Sequence, residues 1–235
     1  MDFIAKLKRK VAGILLAEKT ANPAKIFCIS FQRTGTTSVG KFFIHQGYPV
    51  ATWAVSLNNG WSKSWFDGNY EKIFSSPDFK NHIVFEDVPW GGLDFYKVLF
   101  HRFPDSKFIL FTRDSDKWFD SMKSHSGGRT LGNTYIHSRI YNRETEFDNK
   151  FGDRYSYSED VLDKLLELNE SHREHYKKIY RARNKDVLRF FNSHDNSRII
   201  HCELEDENKW KKMGAFFHIE IPEKYEVHEN ASNQK

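Results

Sequence analysis

The chain has 235 residues, a length that suits one compact domain with a sizeable core. Hydrophobic residues make up 39% and charged residues 29%, which excludes a disordered chain, and no apolar run is long enough to span a bilayer. The net charge of +4 suits an anionic small ligand but is too small to indicate a nucleic-acid partner, and it leaves the oligomeric state undetermined.

The first 22 residues combine a basic stretch with a short apolar run that ends at Glu18 and Lys19. This pattern favours an amphipathic helix that lies on the domain, or makes weak contact with a membrane surface, over a signal peptide. We expect residues 23–235 to form a single domain. Because the chain shows no transmembrane anchor, we expect a cytoplasmic protein.

Apolar runs alternate with helical patterns along the chain, which predicts βαβ units in an α/β fold. The predicted architecture is a parallel sheet of about five strands, of the phosphate-binding-loop type, flanked by helices on both faces. The predicted strands are residues 25–30, 48–52, 82–87, 107–112 and 198–203. The predicted helices are 37–46, 93–103, 115–123, 159–191, with a break near Ser171, and 207–217.

One segment breaks this alternation. Residues 124–158 are rich in Gly, Asn, Arg, Tyr, Ser and His and short of aliphatic side chains. A long irregular stretch in a compact domain is typical of a functional loop. We therefore predict a lid or an acceptor-binding segment here.

The most specific motif is FQRTGTTS, at residues 31–38, between the first predicted strand and the first predicted helix. In this context the N–H groups at a helix N-terminus point at an anion, and the helix dipole favours its charge. A glycine permits close approach of the ligand, and hydroxyl side chains add donors. The residues predicted to bind the anion are Gln32, Arg33, Thr34, Gly35, Thr36, Thr37 and Ser38.

The motif differs from the loop that binds nucleoside triphosphates. The lysine of G-x-x-x-x-G-K-[ST] would fall on Thr36, and the cation lies instead at Arg33. Without that lysine the loop is poorly equipped for a β,γ-phosphate pair with Mg²⁺.

FQRTGTTS resembles the P-K-[ST]-G-T-T loop with which sulfotransferases bind the 5′-phosphosulfate of 3′-phosphoadenosine-5′-phosphosulfate (PAPS). Gln32 replaces the usual proline and Arg33 the usual lysine. The resemblance implies that PAPS is the donor, that adenosine 3′,5′-bisphosphate is the product, and that Arg33 neutralises charge on the oxygen between phosphorus and sulfur. It extends over most of residues 25–230.

A second phosphate site is predicted after the fourth strand. Arg113 follows that strand, and Ser121 lies eight residues further on, in a helix that Asp114 or Ser115 caps. This pair resembles the 3′-phosphate motif of the sulfotransferases. The family's other 3′-phosphate element, Arg-Lys-Gly, is absent from this sequence.

Sulfuryl transfer needs correct positioning of donor and acceptor and electrostatic stabilisation of the developing charge. A general base that takes the acceptor's proton raises the rate by about 10²–10⁴-fold. Glu86 and Asp87 end the third predicted strand, at the edge where α/β sheets bind ligands. We favour Asp87, because the resemblance places the acid of a D-x-P segment there. His125 and His137 are alternatives, and we expect no metal ion.

The acceptor is a hydroxyl or amine of a small molecule or carbohydrate, which residues 50–67 and 124–157 are expected to select. Trp53, Trp61 and Trp65 are candidates for an acceptor pocket or for core packing. Two other functions remain open at this point: a small-molecule kinase with Mg·ATP, and a non-catalytic protein that binds adenosine 3′,5′-bisphosphate.

Overall fold

The computed structural model describes residues 24–125, 135–152 and 164–227. The predicted N-terminal helix and parts of the predicted 124–158 segment lie outside these ranges. The described residues divide into two compact units. The first unit comprises residues 24–112 and 190–227, and the second comprises the described residues between 113 and 189. That residues 23–235 form a single domain stays a prediction.

The first unit contains a parallel five-stranded sheet in the order β2-β3-β1-β4-β5. Phe27 of β1 pairs with Phe85 of β3 on one side and with Phe108 of β4 on the other. The predicted α/β architecture is confirmed, although every strand except β4 is shorter than predicted. The strands are β1 (Ile26–Cys28), β2 (Val50–Ala51), β3 (Val84–Phe85), β4 (Lys107–Thr112) and β5 (Ile199–Glu203).

The helices begin and end close to the predicted positions in the first unit. Four short helices between β2 and β3 were not predicted. The helices in chain order are α1 (Thr36–His45), α2 (Trp53–Asn58), α3 (Trp61–Phe66), α4 (Tyr70–Phe74), α5 (Pro77–Asn81), α6 (Phe95–Arg102), α7 (Ser115–Ser124), α8 (Tyr135–Ile140), α9 (Glu144–Phe151), α10 (Arg173–His194) and α11 (Lys209–Phe217).

Both faces of the sheet are buried, because side chains alternate along each strand and apolar residues occupy both sets of positions. On one face Cys28 packs with residues of α1 and α11, including Phe42 and Trp210. On the other face the Phe27 ring lies 5.3 Å from the Phe85 ring and 6.4 Å from the Phe79 ring of α5. Helices therefore cover both faces, as the alternation predicts.

Two predictions about the second unit are corrected. The segment predicted to be irregular contains α8 and α9. Phe147 of α9 is buried, as is Tyr141 directly after α8, whose ring stacks 4.3 Å from that of Tyr176. In the predicted helix 159–191, residues 164–169 are not helical, and α10 begins at Arg173 directly after a 3-10 turn at Glu170–His172, which agrees with the predicted break near Ser171. Leu166 and Leu168 are buried with exposed Glu167 between them, which is the period of an extended chain.

Candidate functional site

The carboxyl ends of β2, β3 and β1 bring three segments of the first unit to one edge of the sheet. Since these neighbouring strands are parallel, the residues that follow them emerge at the same edge. They are Thr52 and Trp53 after β2, Glu86 and Asp87 after β3, and residues 29–35 after β1. This edge is where the sequence predicted the anion site.

The 31–38 segment has a strained backbone directly before α1. Arg33 has φ +65° and Gly35 has φ +88°, both in the left-handed region that few side-chain-bearing residues adopt. The Thr34 hydroxyl donates to the carbonyl of Phe31 at 2.5 Å, which closes the turn. A Cβ at Gly35 would lie 2.7 Å from Cδ1 of Leu204, so this position requires glycine.

Helix α1 begins at Thr36 and has no side-chain cap, because Gly35 stands at the N-cap. The first N–H groups of a helix have no acceptor within the helix, and they carry the positive end of its dipole. Thr36 and Ser38 are buried, while Arg33 and Thr37 are partly exposed. This arrangement is suited to an anionic group of a ligand.

A turn after β3 passes across the start of the loop. A Cβ at Gly91 would lie 2.4 Å from the backbone carbonyl oxygen of Ser30, so the two backbones are in direct contact. The turn begins at Asp87, whose φ is +67°. The Asp87 Oδ1 atom accepts the N–H of Val88 at 2.8 Å. The two strained residues that carry opposite charges, Arg33 and Asp87, thus lie on neighbouring segments.

Glu86 is a buried carboxyl group beside helix α1. Only 2% of its surface is exposed, and a Cβ at Gly40 would lie 3.0 Å from its Cγ atom. Burial, helped by the charge of Asp87, raises the pKa of Glu86 to about 8, against the hydrogen bond from the N–H of Trp53. Glu86 therefore holds a proton at neutral pH.

Asp87 is in a different environment, although it is the next residue. The pKa of Asp87 is also raised, because burial outweighs the N–H of Val88 and the charge of Arg33, which both lower it. Asp87 is partly exposed, so it is accessible where Glu86 is not. The two carboxyl groups therefore differ in environment. Glu86 is buried beside α1, whereas Asp87 is partly exposed and lies within the electrostatic influence of Arg33.

The second unit positions Arg113 and Ser121 by local contacts. Asp114 caps α7, since its Oδ1 atom accepts the N–H groups of Asp116 and Lys117, both at 3.0 Å. The Tyr180 hydroxyl accepts the N–H of Arg113 at 2.9 Å and donates to its carbonyl at 3.2 Å. Ser121 lies on the buried side of α7. Of the two predicted capping residues, Asp114 is the one that caps.

The structure separates the three candidate tryptophans. Trp61 and Trp65 are buried, 1% and 5% exposed, and belong to the core. Trp53 is 53% exposed and begins α2 at the site edge. His137, an alternative base, is buried in the second unit, which lowers its pKa to about 4.

Sequence reasoning missed two links. The first is the hydrogen bond between the N–H of Trp53 and the Glu86 carboxyl, and the second is the hold of Tyr180 on the backbone of Arg113. Neither has a signal in the sequence, because each joins residues far apart along the chain.

A parallel sheet with a strained, cation-bearing loop before a helix, next to an acidic turn, is the arrangement of an α/β protein suited to an anionic ligand. The model of the sulfotransferase domain family matches residues 25–234. The chain belongs to this family, and it is a transferase enzyme of the sulfotransferase type. A search of curated proteins found no match to this chain.

Two searches of the described residues concern membranes and metals. Within the described ranges, no helix is long and apolar enough to cross a membrane. The same part of the chain contains no group of three or more His, Cys, Asp or Glu side chains that could hold a metal ion. That the reaction needs no metal ion stays a prediction.

Proposed function

We propose that this sulfotransferase takes the sulfuryl group from PAPS and that residues 31–38 bind the 5′-phosphosulfate. The observation that carries the proposal is the left-handed backbone at Arg33 and Gly35 immediately before α1, at a helix N-terminus that has no side-chain cap. The N-terminal turn of α1, the Arg33 guanidinium and the hydroxyl groups fit an anionic donor. When bound, PAPS supplies an activated sulfuryl group. The residues assigned to this contact are Gln32, Arg33, Thr34, Gly35, Thr36, Thr37 and Ser38.

The 3′-phosphate is assigned to Arg113 and Ser121. The guanidinium of an arginine can fork onto two phosphate oxygens, and a serine hydroxyl can donate to a third. Support comes from two contacts that fix the backbone around these residues. Asp114 caps α7, the helix that carries Ser121, and the Tyr180 hydroxyl accepts the N–H of Arg113. A 3′-phosphate contact is what distinguishes PAPS from ATP.

Asp87 is assigned as the general base. As the acceptor oxygen bonds to sulfur and the bond from sulfur to the 5′-phosphate oxygen breaks, Asp87 takes the acceptor's proton. Arg33 balances the charge on the departing phosphate oxygen of adenosine 3′,5′-bisphosphate. Glu86, whose pKa burial raises to about 8, is assigned as a positioning residue that accepts the N–H of Trp53 at the start of α2, and it stays the alternative candidate for the base.

The test is calorimetric titration with adenosine 3′,5′-bisphosphate, and separately with Mg·ATP, on the wild type and on Arg113→Ala. We expect binding of the bisphosphate that weakens at least tenfold in Arg113→Ala, a change of about 1.4 kcal/mol. Binding of Mg·ATP with indifference to the 3′-phosphate would contradict the proposal and favour a kinase. Tight bisphosphate binding without turnover on any acceptor would favour a non-catalytic binder.

A glycine pair separates the effect on the donor from the effect on stability. Gly35 and Gly68 both have positive φ, but nothing lies within 4 Å of a Cβ at Gly68. Alanine at either position strains the backbone by about 1–2 kcal/mol. We expect only Gly35→Ala to lose bisphosphate affinity. Equal affinities in the two variants would show that the loop does not bind the donor.

The remaining assignments are the acceptor and the location. The acceptor is proposed to be a hydroxyl or amine of a small molecule or carbohydrate, and the location is proposed to be the cytoplasm. A panel of acceptors with radiolabelled donor and fractionation of the source cells test them.

A further inference from the structure

The backbone of Arg113 is held by one side chain at the point where the chain leaves β4. The ladder of β4 with β5 ends at Thr112, which pairs with Glu203, and Arg113 is the next residue. The Tyr180 hydroxyl accepts the N–H of Arg113 at 2.9 Å and donates to the carbonyl of the same residue at 3.2 Å. A phenol hydroxyl has one proton to donate and can also accept, so it serves both backbone groups at once.

These two hydrogen bonds fix the direction of the Arg113 side chain. The N–H and C=O of one residue point to the same side when the backbone is extended, as in a strand residue that exchanges both hydrogen bonds with its partner. Tyr180 therefore holds Arg113 extended and takes the place of a partner strand. With the backbone fixed, the Cα–Cβ bond of Arg113 has one direction, which restricts the positions that its guanidinium can reach.

The ring of Tyr180 contacts the helix that carries the second residue assigned to the 3′-phosphate. It stacks on Trp118, with the ring centroids 4.3 Å apart and the ring planes inclined by 17°. Trp118 is buried on α7, three positions before Ser121, and residues three apart are neighbours on a helix surface. One buried side chain thus contacts Arg113 with its hydroxyl and the helix of Ser121 with its ring.

The ion pairs between α10 and α7 fix this geometry less well. Arg173 pairs with Asp116 at 3.1 Å and with Asp120 at 2.5 Å, and Lys177 pairs with Asp116 at 2.8 Å. Both carboxylates are more than half exposed, and such pairs contribute little and are screened by salt. The stack and the hydrogen bonds of Tyr180 are buried, so they are the contacts that set the geometry.

Resting on the proposed function, we propose that Tyr180 is a positioning residue for the 3′-phosphate of the donor. Its hydroxyl sets the direction of Arg113 and its ring sets the place of Ser121, so that both side chains meet one phosphate group. The hydroxyl is occupied by the Arg113 backbone, so Tyr180 acts through Arg113. The preference of the protein for a nucleotide with a 3′-phosphate therefore depends on this hydroxyl.

The experiment measures by calorimetry the dissociation constants of adenosine 3′,5′-bisphosphate and of adenosine 5′-phosphate, which lacks the 3′-phosphate. The ratio of the two constants reports the 3′-phosphate contact alone. The variants are Tyr180→Phe, Arg113→Ala and the double variant. Tyr176→Phe is the matched control, since Tyr176 lies one turn earlier on α10 and is equally buried. Its ring stacks 4.3 Å from Tyr141, and its hydroxyl accepts from the Arg143 guanidinium at 3.1 Å.

We expect Tyr180→Phe to weaken binding of the bisphosphate about three- to tenfold and to leave binding of adenosine 5′-phosphate within about twofold. Tyr176→Phe keeps the wild-type ratio, although it loses a hydrogen bond of the same kind. The double variant binds the bisphosphate as Arg113→Ala does, because the direction of residue 113 no longer matters once the guanidinium is gone.

Three outcomes would overturn the inference. Equal weakening of both nucleotides in Tyr180→Phe, or an equal fall of the ratio in Tyr176→Phe, would show that the hydroxyl has only a structural role. Additive losses in the double variant would show that Tyr180 does not act through Arg113.

Trp118→Leu is the second variant, for use if Tyr180→Phe does not fold, because it removes the stack and leaves the hydroxyl in place. A lowered ratio in Trp118→Leu supports the inference, and an unchanged ratio overturns it. A wild type that binds the two nucleotides equally well would refute the assignment of the 3′-phosphate to Arg113 and Ser121, which is a failure of the proposed function and not of the role of Tyr180.

Discussion

The two segments assigned to the donor are stabilised by different kinds of interaction. In the first unit, residues 31–38 and the turn at Asp87 depend on left-handed backbone, contact between backbones, and carboxyl groups removed from water. In the second unit, the region around α7 depends on a helix cap, a tyrosine hydroxyl and exposed ion pairs. Buried charges interact strongly and resist salt, whereas exposed pairs contribute little and are screened.

This comparison predicts which substitutions should affect catalysis and which should affect stability. Changes at the sheet edge of the first unit should alter rate and pH dependence. Outside Arg113 and Ser121, which are assigned to the donor, changes in the second unit should alter stability modestly, and the effect of its exposed charges should decrease with salt.

The largest expected effect is on turnover. Asp87→Asn removes the proposed base, and we expect kcat to fall by about 10²–10⁴-fold while affinity for adenosine 3′,5′-bisphosphate is retained. Steady-state kinetics with calorimetry measures both. Asp94→Asn, at an exposed carboxylate seven residues further on, is the control. Unchanged turnover in Asp87→Asn would remove Asp87 from the mechanism.

The next effect concerns stability and pH. The folded pKa of Glu86, about 8, exceeds its ordinary value of 4.5, so the folded state holds this proton more tightly than the unfolded state. The contribution of Glu86 to stability is therefore most favourable below pH 4.5 and is lost as the pH rises from 4.5 to about 8. We expect Glu86→Gln to flatten this decline.

Urea denaturation between pH 5 and pH 8 tests the Glu86 prediction. The exposed Glu223 supplies the control variant Glu223→Gln, which should keep the wild-type slope. If Glu86→Gln keeps that slope too, Glu86 is ionised in the folded protein.

In the second unit, Tyr180→Phe should lower the free energy of unfolding by about 1–2 kcal/mol. The substitution leaves the N–H and carbonyl of Arg113 without the hydroxyl that both contact, while the ring keeps its stack 4.3 Å from Trp118. Urea denaturation measures the change. Tyr48→Phe, a change of the same atoms in the first unit, is the comparison. A stability equal to wild type would mean that water replaces the hydroxyl.

The smallest effect is expected at Arg173, which pairs with Asp116 at 3.1 Å, with Asp120 at 2.5 Å and with Glu170. These carboxylates are solvent-exposed, so we expect Arg173→Ala to lower Tm slightly in dilute buffer and by still less in 1 M NaCl. Thermal denaturation at the two salt concentrations measures it. A large, salt-independent loss would show that the contact of the Arg173 guanidinium with the Phe119 ring, 4.8 Å from its centroid, matters more than the exposed ion pairs.

The elements with strong local patterns were predictable. The strand 107–112 matches its apolar run, and α1 and α7 lie within one residue of their predicted bounds. The segment 31–38 was predicted as an anion-binding loop because a glycine-containing turn between a buried strand and a helix is typical of such loops. The helices α8 and α9 were missed, because buried Tyr141 and Phe147 are separated by polar residues and their partners lie elsewhere in the chain.

The sequence by itself determined the parallel α/β sheet, the position of the glycine-containing loop between β1 and α1, and the position of the two carboxyl residues after β3, because each depends on neighbours along the chain. Only the tertiary structure decided that Glu86 is buried and protonated while Asp87 faces Arg33, and that Trp53 alone of three tryptophans is exposed. The physical reason is that burial and desolvation depend on side chains brought together from distant parts of the chain.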